Sequence, residues 1–437
     1  MVTKRVAVLL IYVSWRCLLR ILLLTLYFAP DPAANAVIMT ELAEQLAALG
    51  HEVTVVAAFP HYDTNRIWDA YRGKLVQREQ HGPVCVYRTY LYVPGNKTNI
   101  VGRLLNYLSF NLLSALVAAW QPRHDVILAP SPPLTNGMGA FFVSRLRGIP
   151  YVYNVQDIYP DIAIRLGLLT NPTLIRHFRW MEDFVYRHAA AVTVLSDGFR
   201  RNLHQKGVPE TKLAVIPNFI DVDFVRPGEK DNPFSRAHGW QERFVVMYAG
   251  NIGLSQNLQN VLAAAALLQN HPQIHFLLVG NGAAKESLRQ QAQAMALDNV
   301  TFLPFQPRES LPDLYATADV SLVSLSRDIG SESVPSKAYT IMASGRPLLA
   351  AVSHDAETRL LVQQANCGLW VDPDDPAALA AAVLNLRDRP ALRAEMGVNG
   401  RRYVEQHHVP HMVARQYAAL LRQLATPSAL TAAHHHG

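Results

Sequence analysis

From Arg20 onward, short apolar runs alternate with helix-length segments. RILLLTLYF (20–28) is followed by NAVIMTELAEQLAALG (35–50). The apolar residues of the second stretch recur every three or four positions and stop at Gly50, a helix C-terminal signal. EVTVVAAF, DVILAPSPP, PYVYNVQD, AVTVLSDG and KLAVIPNF read as further strands with helical sequence between them. Near-continuous apolar strands of this kind fit a parallel sheet covered on both faces. A polar break, IDVDFVRPGEKDNPFSRAHGWQER (220–243), precedes a restart of the pattern. FVVMYAG, IHFLLVGNG, NVTFLPF, DVSLVSLS and RPLLAAVS then alternate with helices such as LQNVLAAAALLQN. The pattern predicts two doubly wound α/β units of similar size. Their expected spans are 20–222 and 223–405, followed by a C-terminal helix over 406–425 crossing back to the first unit and a tail over 426–437. Ligands in such sheets bind beyond the carboxyl ends of the strands. Two such edges facing each other would enclose a cleft.

Composition supports large cores: of 437 residues, 50% are hydrophobic and 17% charged, which argues against disorder. Cys17, Cys85 and Cys367 are too widely spaced for a metal motif or a disulfide framework, so a reducing, cytoplasmic compartment is the expectation. Residues 1–222 hold 22 Lys and Arg against 15 Asp and Glu, whereas residues 223–437 hold 18 against 19. The positive field of the first half is either an ordinary basic surface or suited to anionic partners such as a lipid surface. No compact basic run with interleaved aromatics points to nucleic acid. Residues 1–19 contain apolar runs broken by Arg16, each short of the roughly 20 residues a spanning helix needs. They read as a lead-in of uncertain status. NIVGRLLNYLSFNLLSALVAAW (99–120) is either a helix buried under the first sheet or an amphipathic helix with one face on a membrane.

Candidate chemistry concentrates where strands turn into helices. YAGNIGLSQNLQN (248–260) places Gly250, Asn251 and Gly253 in a turn where backbone N–H groups and a helix N-terminus can meet an anion. FLLVGNGAAKESL (276–288) repeats the arrangement with Gly280, Asn281 and Gly282. Both turns serve equally as tight connections that need glycine for their backbone. Phe305 ends another strand and reads either as a core ring or as a platform for a planar base. In GSESVPSKAYTIMASGRPLLA (330–350), Pro335 suits the first turn of a helix. Ser336 and Lys337 then stand where a phosphate would bind. Glu332, just before them, either addresses sugar hydroxyls or only favours the helix N-terminus. In the first half, Ala33 and Ala34 of YFAPDPAANA allow close approach of a ligand. Asp157 of NVQDIYPD is the candidate for orienting an acceptor hydroxyl, with Asp161 as a helix-capping residue. DPDDP (372–376) resembles a carboxylate cluster for a metal but reads better as helix N-capping, and no metal is expected.

The set GHEVTVV (50–56), PNFIDVDFV (217–225), YAGNIGLSQNL (248–258), FLLVGNG (276–282), ADVSLVSLS (318–326) and PSKAYTIMASGRPLLA (335–350) resembles the retaining glycosyltransferases of GT-B architecture. Within them it is most similar to the N-acetyl-L-fucosamine transferases of O-antigen and capsule assembly. The resemblance implies that the first domain binds the acceptor and the second a nucleotide sugar, expected to be UDP-linked, with no cofactor beyond that co-substrate. It implies donor-sugar contact by Glu332 and ribose contact by residue 340, where Thr340 replaces the family's glutamate. The family's diphosphate-holding basic residues fall on Asn251 and Gln256, so Lys337 is expected to carry that charge. The implied reaction moves a sugar to a lipid-linked or saccharide acceptor at the inner face of the cytoplasmic membrane. A nucleotide-sugar 2-epimerase and a non-catalytic scaffold of the same architecture are the alternatives.

Overall fold

The computed structural model describes residues 18–95, 100–165, 167–328 and 336–425. Two compact units are present. The first takes the chain through Ile164, Leu169–Pro217 and the chain from Pro410; the second takes Arg165–Leu168 and Asn218–Val409.

The first unit runs β1 (Arg20–Thr25), α1 (Ala34–Ala48), β2 (Glu52–Ala58), β3 (Val76–His81), β4 (Val84–Thr89), α2 (Ile100–Trp120), β5 (Val126–Pro130), α3 (Thr135–Arg147), β6 (Tyr151–Val155), α4 (Asp161–Arg165), α5 (Pro172–His188), β7 (Ala191–Val194), α6 (Asp197–Gln205) and β8 (Leu213–Val215). The sheet order is β3-β4-β2-β1-β5-β6-β7-β8, parallel except for β3. Strands β1, β2 and β5–β7 are buried almost throughout, as their apolar runs require. The β3–β4 hairpin was not read from the sequence. VQREQH alternates half-buried and exposed positions, the pattern of an edge strand with one wet face, and Gly82 turns the chain at φ +54°. The strand expected over 20–28 ends at Thr25, after which the chain enters the loop at the sheet's carboxyl edge.

The second unit runs α7 (Pro233–His238), β9 (Phe244–Ala249), α8 (Leu258–Leu267), β10 (Ile274–Val279), α9 (Lys285–Ala294), β11 (Val300–Leu303), α10 (Leu311–Thr317), β12 (Val320–Ser324), α11 (Lys337–Ala343), β13 (Leu348–Ala351), α12 (Glu357–Ala365), β14 (Gly368–Val371), α13 (Pro376–Asp388) and α14 (Pro390–His407). Its sheet is wholly parallel, ordered β11-β10-β9-β12-β13-β14, with a hydrophobic cluster on each face. The order reverses between β9 and β12, the place where such sheets hold ligands.

The last helix, α15 (Pro410–Ala425), packs on the first unit. It starts at Pro410 rather than at 406, because α14 runs to His407 and the chain breaks at His408–Val409 before the proline. Val413, Ala414, Tyr417, Ala418 and Leu421 form its buried stripe at three- and four-residue spacing. Tyr417 Oη accepts from Asn154 Nδ2 at 2.8 Å, tying the helix to β6. Among the described residues no helix is long and apolar enough to cross a membrane.

Asp161 begins α4, but its carboxylate pairs with Lys206 at 2.8 Å, and Lys206 also pairs with the buried Glu182 at 2.6 Å. Burial already raises the Glu182 pKa against the pull of Lys206. Lys206→Met should therefore destabilise the first unit by on the order of 3 kcal/mol near neutral pH, by stranding the buried Glu182 carboxylate. A carboxyl whose folded pKa is raised binds protons more readily folded than unfolded. Stability of the variant should thus fall as pH rises through that window, with a smaller loss near pH 5 than near pH 8. Urea unfolding at the two pH values checks it, and equal losses would contradict the pairing.

Candidate functional site

Strand β9 carries Tyr248 to the carboxyl edge of the second sheet, and Gly250 then turns the chain at φ +147°. β10 ends in a matching turn, with Gly280 at φ +148° and Gly282 at φ +159°. The two turns lock together. Gly250 N–H donates to Val279 O and Ile252 N–H to Asn281 O, both at 2.9 Å. A Cβ on Gly280 would stand 1.8 Å from Gly250 O, and one on Gly282 would stand 2.3 Å from Ile252 O. These two glycines are thus required by the packing of turn on turn, the plainer of the two readings open in the sequence. Gly250 differs: a Cβ there would lie 3.5 Å from the Lys337 ammonium.

Lys337 is the first residue of α11, reaching back to β9. Its Nζ donates to Tyr248 Oη at 2.7 Å and to Gln256 Oε1 at 2.9 Å, and lies 4.3 Å from the Tyr248 ring centroid. Tyr248 Oη in turn donates to Asn251 O at 2.6 Å. Among the described residues no carboxylate pairs with this ammonium. The residue keeps part of its surface exposed, yet burial of its charged end pushes the Lys337 pKa down to about 7. The N–H groups of Asn251 and Gly253 donate to no described residue. A cation lacking a counter-charge, beside unused amide donors at the switch point of a parallel sheet, suits an anion with several acceptor oxygens.

The remaining candidates fall as follows. Ser336 is exposed ahead of α11, and its hydroxyl caps nothing. Thr340 is half-buried one turn further on. Phe305 is 56% exposed, so it is no core ring and its face is available for stacking. Asn281 Oδ1 accepts from Lys285 Nζ, which also bonds Gly280 O and Leu303 O. Sequence reading missed Lys285 and the Tyr248–Gln256 pair. KESL after a Gly-Asn-Gly turn was a signal for the first, but nothing local links Lys337 to residues about 80 positions earlier. Glu332 and Pro335 lie outside the described residues.

In the first unit, Ala33 is the buried residue preceding α1 and Ala34 its exposed first residue, both beyond the carboxyl end of β1. Asp157 follows β6 at the same edge of the sheet. Its carboxyl has no partner among the described residues, and burial raises its pKa, which makes it a readier proton acceptor near neutral pH. In DPDDP, Asp375 caps α13 by accepting from Ala378 N–H, while Asp372 and Asp374 pair with Arg327. Among the described residues no cluster could hold a metal ion.

Residues 35–218 match the glycosyl transferase 4-like domain, and residues 231–403 match the glycosyl transferases group 1 domain. The chain is 28% identical over 374 residues to an Escherichia coli K12 protein named for a colanic acid biosynthesis glycosyl transferase, WcaI, covering 84% of this chain and 91% of that one. It is 26% identical over 336 residues to the Pseudomonas aeruginosa glycosyltransferase WbjE, covering 76% and 83%. Among solved structures, the sucrose-phosphate synthase of Thermosynechococcus elongatus superposes with a TM-score of 0.71 at 21% identity over 95% of this chain and all of that one. Anabaena Alr3699/HepE in complex with UDP-glucose superposes at 0.70 and 19% identity over 93% of this chain and all of that one. Two doubly wound units, matched in order by the two transferase domains over most of their length, make the chain a member of the glycosyltransferases of the GT-B class.

Proposed function

We propose that the protein transfers a sugar from a UDP-linked donor to a lipid-linked or saccharide acceptor in bacterial surface polysaccharide assembly, with retention of anomeric configuration. The observation that carries the donor reading is the ammonium of Lys337 beside the Gly250 turn, which pairs with no carboxylate among the described residues. A diphosphate supplies the missing negative charge, and charge developing on it as the glycosidic bond breaks is stabilised by the same ammonium and amides. The names of WcaI and the UDP-bound Alr3699/HepE support this substrate class. On the sequence resemblance, the donor sugar is an N-acetylated deoxyhexose.

In this reading Lys337, Ser336 and the amides of Asn251 and Gly253 hold the diphosphate, with Gly280, Asn281 and Gly282 shaping the neighbouring turn. Phe305 stacks on the base and Thr340 bonds a ribose hydroxyl. Ala33 and Ala34 leave room at the N-terminus of α1 for the donor's anionic end. Glu332 orients the sugar, and Asp157 orients the acceptor hydroxyl. The protein works in the cytoplasm, against the inner face of the membrane. Leu104, Leu105, Leu108, Leu112, Leu116 and Trp120 support that placement. They lie exposed along one side of α2, Trp120 at 91%, instead of being buried under the sheet.

A bound diphosphate raises the Lys337 pKa from about 7, so donor binding takes up a proton above that pH. Affinity for UDP-glucose should fall as pH rises from about 6.5 to about 8.5, by up to about tenfold per unit. Lys337→Met should flatten this profile and weaken UDP-glucose roughly 10- to 100-fold near pH 6.5, while uridine is little affected. Calorimetric titration decides it; equal losses for both ligands would remove the phosphate role. Glu332→Gln should lower turnover by about 100-fold or more with UDP-glucose affinity nearly unchanged, since orienting the sugar acts as the bond breaks. Turnover within a few-fold of the parent would return Glu332 to a helix-terminus role. The protein should also co-sediment with anionic vesicles, be released by salt, and lose most of the bound fraction on Leu108→Glu with Leu112→Glu. Sedimentation unchanged by the double substitution would exclude α2 as the contact.

A further inference from the structure

The first unit holds a cavity of about 690 Å³ that none of the proposed donor or acceptor contacts uses. One wall is a stripe of α5, Arg179, Glu182, Asp183, Tyr186 and Arg187, at the three- and four-residue spacing of a single helix face. The other is the chain that leaves α6 and enters β8, with Lys206 and Lys212, joined by Asp161 at the start of α4. Lys212 is the last residue before β8, and Arg187 is one residue from the end of the helix that leads into β7. The cavity thus reaches the amino ends of these strands, the edge opposite the one that carries Ala33 and Asp157. Its volume falls within the range of about 300–1,000 Å³ typical of small-molecule sites, too large for a bare inorganic anion.

The charges of the wall are mostly spent on one another, and the remainder has one sign. Lys206 Nζ pairs with Asp161 at 2.8 Å and with the buried Glu182 at 2.6 Å, and Arg187 pairs with Asp183 one turn earlier. Every carboxylate of the wall therefore has its cation. Two cations have no carboxylate among the described residues. Lys212 Nζ donates at 2.6 Å to Arg187 O, a neutral carbonyl, and burial pushes its pKa down. Arg179, on the exposed side of α5, bonds to no described residue.

A paired carboxylate is not a saturated one. Each offers about four lone-pair positions, and Asp161 and Asp183 spend theirs on one cation apiece. The remaining positions suit hydroxyl donors. Cations that lack a counter-charge suit an anionic group. Three carboxylates in the wall repel a polyanion. Acceptors for hydroxyls and uncommitted cations in one cavity match a polyhydroxylated ring that carries a single phosphate or carboxylate.

We propose that this cavity is a second carbohydrate site, separate from the transfer centre, that takes a sugar bearing one anionic group held by Lys212 and Arg179. It is independent of the donor reading. A free sugar phosphate and an acidic sugar residue of a saccharide share this chemistry. The test is calorimetric titration of the full chain with a panel of hexose 6-phosphates and methyl hexuronides, with methyl hexosides, inorganic phosphate and UDP as controls. One anionic sugar should bind at least tenfold more tightly than its neutral counterpart and than inorganic phosphate. Lys212→Met should weaken it about tenfold and Arg179→Met about threefold, with UDP affinity unchanged in both. Lys212→Arg, which keeps the charge, should retain binding within about threefold. Lys212 is half-buried and Arg179 exposed, so the variants should fold. Preference for hexose phosphates supports the free sugar phosphate and preference for hexuronides the saccharide residue, and either supports the site. Inorganic phosphate bound as tightly as the sugars would overturn the carbohydrate assignment. Sugar binding unaltered by Lys212→Met and Arg179→Met would place the ligand elsewhere and overturn it too. UDP binding without binding of any anionic sugar would overturn this site and leave the donor reading intact. Anionic-sugar binding that responds to Lys212→Met, without UDP binding, would keep this site and sink the donor reading instead.

Discussion

The ammonium of Lys337 is partnered by a phenol and an amide carbonyl, and by no carboxylate among the described residues. Neutral dipoles hold a buried charge less well than an opposite charge does, which is why burial wins and depresses the lysine. The geometry of the second unit's carboxyl edge follows from this one group. β9 must carry, one residue before its end, a tyrosine whose hydroxyl reaches both the lysine and the turn beyond it. The next helical turn must bring Gln256 round to the same nitrogen. Residue 250 favours glycine because the turn holds it at φ +147°, while a Cβ there would only touch the ammonium at an ordinary 3.5 Å. Gly280 and Gly282 then let the neighbouring turn press against this one, so the cation is carried on two interlocked loops.

The two units place different chemistry at the same edge of similar sheets. The second offers a cation and backbone donors, which suit an anion. The first offers carboxyls of raised pKa, Asp31 and Asp157, together with aromatic faces. These carboxyls are not equivalent. Burial raises Asp31 to about 6 even though it accepts two backbone N–H bonds, so its oxygens already serve the fold. Asp157 is raised by burial with no described partner, and an unsatisfied acceptor is the one able to receive a hydroxyl proton.

Much of this was legible along the chain because burial writes itself into local pattern. Parallel strands covered on both faces must be apolar throughout, so β1, β2, β5 to β7, β9, β10, β12 and β13 could be read directly, and the turns after β9 and β10 with them. The β3 edge strand could not, because after Val76 both of its faces are polar, Arg78 and Gln80 exposed and Gln77, Glu79 and His81 half-buried, so its pairing partner determines it more than its composition. Lys337 was legible as a charge at a helix start. Its holders were not legible as such: Tyr248 lies in an apolar strand, and Gln256, placed by the resemblance where the family holds the diphosphate, gave no sign of bonding the lysine. Only the return of α11 to the end of β9 makes them neighbours. The cavity of the first unit is of the same kind: Asp161, Arg179 and Lys212 come from three separate segments.

Thr340 and Lys337 are best understood together. On a helix, positions three apart are neighbours, roughly 5–6 Å between Cβ atoms. A glutamate at 340, which the sequence resemblance implies for the family, would stand beside the first residue of α11 and supply a counter-charge that Lys337 lacks among the described residues. The lysine would then be neutralised by its own helix, and an incoming diphosphate would have to compete for it. A threonine keeps a hydroxyl able to bond a ribose while adding no charge. Asn251 and Gln256 are uncharged where the resemblance places basic residues, which leaves Lys337 beside the Gly250 turn and Lys285 on the neighbouring Gly280–Asn281 turn as the cations there. In the proposed donor reading, a threonine at 340 leaves Lys337 without an intrahelical carboxylate that would compete with a diphosphate.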